Sequence, residues 1–167
     1  MTRDTYIRMT QATARAVSRL PGGAQLLRLP TLLCAAVYAL SLIMLLIRQD
    51  MRILRVIAVP AACFFAVTAL RPVIGRQRPY DRFGAAPVGQ YKSGKGKSMP
   101  SRHAASAAAI AFAVIYAFPG AASACAMIAL ALLIAALRVV SGQHYPGDVL
   151  AALALSAVFS LIGYILL

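Results

Sequence analysis

Five apolar runs separated by polar breaks decide what this chain can become. They cover residues 29–47, 53–70, 104–118, 121–137 and 149–167. A helix crosses the hydrocarbon of a bilayer with about 20 mostly apolar residues, in a range of about 17–25. Four runs meet this length directly. The third meets it once Ser101-Arg102-His103 is added upstream. No Asp or Glu lies inside any run, so none marks an ion pathway. Composition agrees: 61% of residues are hydrophobic and 13% charged, against about 45–50% and about 25% in soluble domains. The expected fold is an all-α integral membrane protein. It is a bundle of five transmembrane helices in one domain, residues 1–167.

Residues 1–22 precede the runs and read as an amphipathic helix. Tyr6, Met9, Ala16, Val17 and Leu20 share one face, and Arg8, Arg15 and Arg19 another. Pro21-Gly22-Gly23 then ends it. A basic amphipathic helix ahead of a span is expected to lie in the lipid interface; a solvated tail is the alternative. The first twenty residues carry no apolar h-region, so no cleavable signal peptide is expected. No internal repeat stands out.

The formal charge of +13 raises nucleic-acid binding. The basic residues, however, sit between apolar runs and form no stripe on a soluble surface, so no nucleic-acid partner is expected. Arginines flanking membrane spans explain part of the charge, and an acidic substrate such as a phosphate explains the rest. Cys34, Cys63 and Cys125 each lie in an apolar run, odd in number and without metal-site spacing. They are expected to be reduced packing residues. No metal and no cofactor is expected.

Residues 71–100 differ from the rest. Arg71, Arg76, Arg78, Arg82, Lys92, Lys95 and Lys97 alternate with Pro and Gly, and long loops in compact proteins are often functional. The stretch 94–98, Gly-Lys-Gly-Lys-Ser, has some likeness to a nucleotide phosphate loop. Tyr91 stands where the first Gly is required and no strand precedes it, which excludes that reading.

With five spans, this loop, the start of the third span and the junction 138–148 fall on one side of the membrane. Both histidines of the chain, His103 and His144, are there. At the junction, Ser141-Gly142 breaks a helix and Pro146 suits the first turn of the next. His144 and Asp148 are then one turn apart and can touch. A carboxylate on one imidazole nitrogen fixes the tautomer and leaves the other nitrogen free to attack. The same spacing also suits an interfacial His beside a helix-capping Asp. Ser101 can cap the third span, whose free N–H groups suit a phosphate, with Arg102 and His103 adding a cation and a proton donor. Arg71 and Arg78 can hold phosphate oxygens bidentately; flanking positive charge at a membrane boundary is the plainer alternative for each alone.

Taken in order, Arg71-x6-Arg78-Pro79, Pro100-Ser101-Arg102-His103 and Arg138-x5-His144-x3-Asp148 resemble the type 2 phosphatidic acid phosphatase superfamily. That superfamily includes lipid phosphate phosphatases, bacterial acid phosphatases and vanadium haloperoxidases. The resemblance implies a metal-independent lipid phosphatase or diphosphatase. His144 attacks phosphorus to form a phosphohistidine, Asp148 holds His144, and His103 protonates the leaving oxygen. Arg71, Arg78, Ser101, Arg102 and Arg138 bind the phosphoryl oxygens. Arg71 departs from the usual Lys, Arg102 from a common Gly, and Leu137 from the Ser that usually precedes the third-motif Arg. These departures bear on substrate preference and leave the reaction type in place.

Polyprenyl diphosphate, phosphatidylglycerophosphate and phosphatidic acid are the candidate substrates. A non-catalytic membrane scaffold or transporter that retains the fold is the rival reading. A plasma-membrane location follows. Of the 17 Lys and Arg, only Arg48, Arg52 and Arg55 lie on the side opposite the motifs. The positive-inside rule would put the motifs in the cytoplasm, but Arg71, Arg78, Arg102 and Arg138 have a catalytic reason to be there. The side of the active site and the oligomeric state stay open.

Overall fold

The computed structural model describes residues 1–89 and 96–166. Gly94 and Lys95 of the stretch considered as a phosphate loop, and Lys92 before it, lie outside the described residues. The architecture is helical. In chain order the helices are α1 (Arg3–Ser18), α2 (Gly23–Leu26), α3 (Leu29–Ile47), α4 (Arg52–Ile74), α5 (Pro79–Phe83), α6 (Arg102–Ala117), α7 (Ala121–Val140) and α8 (Pro146–Leu161), with a final π-turn, Ile162–Leu166. Among them α3, α4, α7 and α8 with its final turn are long and apolar enough to cross a membrane. The fifth apolar helix, α6, has 16 residues.

α6 is the centre of the bundle. It packs against α3, α4, α7 and α8. Its sequence explains the position, since Ala104, Ala105, Ala107, Ala108, Ala109, Ala111, Ala113 and Ala117 are all buried. Small side chains around the whole circumference let four neighbours approach closely, and a helix apolar on all sides is an interior helix. The outer helices instead turn large apolar residues outward, among them Leu32, Ile47, Phe65, Val73, Leu150 and Ile165. An apolar exterior of that extent suits lipid.

α4 continues one turn beyond the expected boundary at residue 70, through Pro72 to Ile74. It stops at Gly75, whose φ of 64° takes the left-handed conformation that closes a helix. Arg71 therefore sits on a helix, and the loop begins at Gly75. Pro60 lies inside α4 and lacks the N–H that would bond the carbonyl of Val56. The hydroxyl of Tyr38 on α3 donates to that carbonyl at 2.9 Å. A proline is tolerated in an apolar helix when a neighbour meets the freed group in this way.

α1 also departs from the expected face. Tyr6 and Thr10 are buried and Met9, Thr13 and Val17 half-buried, while Ala16 and Leu20 are exposed. The inward stripe follows the helical period and includes Thr10 and Thr13, which the expected face did not name; Thr13 donates to the carbonyl of Val140 on α7 at 3.0 Å.

Candidate active site

The loop between α7 and α8 carries the site's centre. α7 ends at Ser141, Gly142 takes a φ of 76°, and Tyr145 caps α8 with Pro146 in its first turn. Asp148 is then the third residue of α8, and its Oδ2 accepts the backbone N–H of Tyr145 at 3.0 Å. His144 lies just outside the helix, with Nδ1 3.5 Å from the same oxygen. That distance is ion-pair range and longer than a formed hydrogen bond. Asp148 thus caps the helix and also faces the imidazole.

Asp148 is fully buried, and its carboxylate is compensated by groups that the motifs did not single out. Nη1 of Arg76 lies 2.8 Å from Oδ1, and the hydroxyl of Ser98 donates to Oδ2 at 2.5 Å. The backbone N–H of Ser101 bonds the carbonyl of Asp148 at 3.0 Å, joining the start of α6 to the start of α8. Arg76 also lies over the ring of Tyr145, 4.3 Å from its centroid. In the sequence Arg76 was one loop cation among seven, and Ser98 belonged to the rejected phosphate loop. Neither carried a spacing signal toward Asp148.

His144 is 3% exposed. Burial, helped by the Arg78 and Arg71 charges, pushes its imidazole below the ordinary histidine range, against the upward pull of Asp148. It lines a cavity of about 290 Å³ with His103, Arg28, Arg71, Arg78, Arg102 and Arg138. The structure thus brings together both histidines and four of the five expected phosphate-binding residues. Ser101, the N-cap of α6, is buried and does not line this cavity. Its hydroxyl makes no capping bond and has no partner among the described residues.

Three of these arginines are held in place by hydrogen bonds. Arg71 is buried and donates to the carbonyl of Lys97. Arg78 bonds the hydroxyl of Tyr80 at 2.7 Å. Arg138 spends one nitrogen on Gln143 at 2.8 Å and another on Thr31 of α3 at 3.1 Å. The Nε atoms of Arg78 and Arg138 are buried without a partner among the described residues. A cavity ringed by fixed guanidiniums with donors to spare suits a phosphoryl group. A second cavity of about 470 Å³ shares Thr31, Arg102 and His103 with the first and continues along Cys34, Phe64 and Ile110.

Fold and site together define a multi-pass helical membrane protein with a pocket lined by histidines and arginines at one end of its bundle. The PAP2 superfamily pattern matches residues 51–167, and the chain belongs to that superfamily. Among solved structures it is similar to a transmembrane PAP2-type phosphatidylglycerolphosphate phosphatase from Bacillus subtilis, with a TM-score of 0.71 and 21% identity over 96% of this chain and 83% of that one. It is also similar to LpxE from Aquifex aeolicus, with a TM-score of 0.61 and 21% identity over 83% of this chain and 92% of that one. None of the curated proteins matches the chain.

Proposed function

We propose that this protein is a membrane lipid phosphatase or diphosphatase that works through a phosphohistidine. The observation that carries the reading is the shared cavity: His144, with one ring nitrogen turned to Asp148, and His103 line the same space as Arg71, Arg78 and Arg138. With Nδ1 facing Asp148, Nε2 of His144 is the nucleophile. Its lone pair attacks phosphorus, and the bond to the leaving oxygen breaks as His103 gives that oxygen a proton. Arg71, Arg78, Arg102 and Arg138, with the N-terminus of α6 at Ser101, stabilise the charge on the phosphoryl oxygens. Water then attacks the phosphohistidine, with His103 taking its proton, and inorganic phosphate leaves. The 3.5 Å separation of His144 and Asp148 is expected to shorten when the phosphoryl group binds. No metal is used.

The second cavity supports a lipid as the substrate. It leads from the arginine pocket into apolar surface, so a phosphate can sit in the first cavity while a tail lies in the second. Polyprenyl diphosphate, phosphatidylglycerophosphate and phosphatidic acid all meet that description. In this reading α6 is a fifth crossing, α1 lies in the lipid interface, residues 1–167 are one domain, and the protein resides in the plasma membrane. Purified protein in detergent with a chelator should release phosphate from at least one of these lipids, and His144→Ala should release none. Lipid binding without turnover in the wild type would favour a scaffold.

A further inference from the structure

The superfamily match begins at residue 51, yet the loop that carries His144 is gripped by a helix before that point. Tyr6 of α1 is fully buried. Its hydroxyl lies 2.9 Å from the carbonyl of Ala85 and 3.4 Å from that of Gly142, two residues before His144. Its ring packs on Phe83 at 5.3 Å, and Phe83 meets Tyr145, the residue after His144, at 6.3 Å. About two turns along, Thr13 bonds the carbonyl of Val140 at 3.0 Å. The backbone has made room for this contact. A Cβ on Gly142 would fall 2.5 Å from Thr10 and 2.8 Å from the Tyr6 hydroxyl, so only glycine lets α1 lie this close.

We propose that α1 is a strap over the 140–145 segment, and that Tyr6 is a positioning residue for His144. The strap bonds the carbonyls of Val140 and Gly142, while the N–H groups from Ser141 to His144 bond carbonyls at the end of α7, so the segment is held from two directions. Burial raises the Tyr6 hydroxyl to about 12, so it stays protonated and remains a donor throughout the working range. Simple anchoring of α1 to the bundle would not require contacts centred on this loop. A strap that sets the imbalance between a held and a loose His144 does require them.

Tyr6→Phe tests this, because it removes the hydroxyl and keeps the ring against Phe83. The kinetic arm rests on the proposed role of His144: kcat should fall about tenfold with KM within about twofold, since misplacing a reacting group costs turnover more than binding. The chemical arm does not rest on it. The chain has two histidines, so in a His103→Asn background, purified without a histidine tag, diethyl pyrocarbonate reports His144 alone. Adding Tyr6→Phe should speed that modification about threefold or more below the melting point, as the loop opens locally. Thr13→Val should do the same to a smaller extent. Equal modification rates in all three proteins overturn the proposal whether or not the wild type turns over lipid. A lower melting temperature with unchanged rates and kcat would show that Tyr6 only stabilises the fold.

Discussion

Arg76 holds Asp148: Nη1 of the arginine lies 2.8 Å from Oδ1 of a carboxylate that has no exposure to solvent. A buried carboxylate that loses its cation is left uncompensated, which disfavours its charged form. Arg76 is partly exposed, so its share of the stability is modest and its effect is expected mainly on the chemistry. Arg76→Gln should lower kcat about tenfold or more by weakening the hold of Asp148 on His144, in line with other outer partners of catalytic groups. Arg76→Lys should restore part of the rate, because the charge returns without the fork. The kcat and KM of the two variants on one lipid phosphate check this. Equal activity in both variants and the wild type would separate Arg76 from the site.

Thr31 reaches the pocket from α3 and orients Arg138. Thr31→Val keeps the shape and removes the acceptor, at a cost near that of one hydrogen bond, about 1 kcal/mol or about fivefold. The loss is expected in affinity for phosphoryl oxygens. Inhibition by orthovanadate, a phosphate mimic, should weaken about fivefold in this variant, with melting temperature little changed.

The acid limb of activity has a defined sign. His144 attacks only when neutral, and burial sets its imidazole below the ordinary value of 6.5. Activity should therefore persist below that pH and fall only as pH drops through the depressed value. Asp148 pulls the imidazole upward, so the residual activity of Asp148→Asn should show its limb at lower pH than the wild type. A shift upward in that variant, read from kcat/KM against pH, would contradict the assignment.

The bond from Tyr38 to the carbonyl of Val56 predicts a stability effect away from the site. Tyr38→Phe leaves a carbonyl beside Pro60 without its partner and should destabilise the bundle by about 1–2 kcal/mol. Thermal unfolding in detergent measures it, with kcat at lower temperature unchanged.

The apolar runs located the long helices well, because helix length in a bilayer is set by a single physical quantity. α3 spans the first run, Leu29–Ile47. Helix ends were less legible: Pro72 suggested a break, but α4 absorbs it and ends at Gly75. The burial of Thr10 and Thr13 on α1 was not legible, since a threonine that bonds a carbonyl can face inward and apolarity alone does not mark it. In the site, the spacing anticipated that His144 and Asp148 come close, because they are four residues apart across the start of α8. Arg76, Ser98, Thr31 and Tyr6 approach the same loop from distant parts of the chain. Only the packing of α3, α4 and α8 around α6, and of α1 on α7, puts them there.

The central claim is that phosphorus passes through His144. Wild-type protein mixed briefly with lipid phosphate carrying a radiolabelled phosphoryl group, then quenched in alkali, should retain label that alkali spares and acid releases, as a phosphohistidine does. Mapping should place that label in the peptide containing His144, the His144→Ala protein should carry none, and His103→Asn should carry less. Turnover with no trapped label under any quench, or label that survives in His144→Ala, would contradict the account.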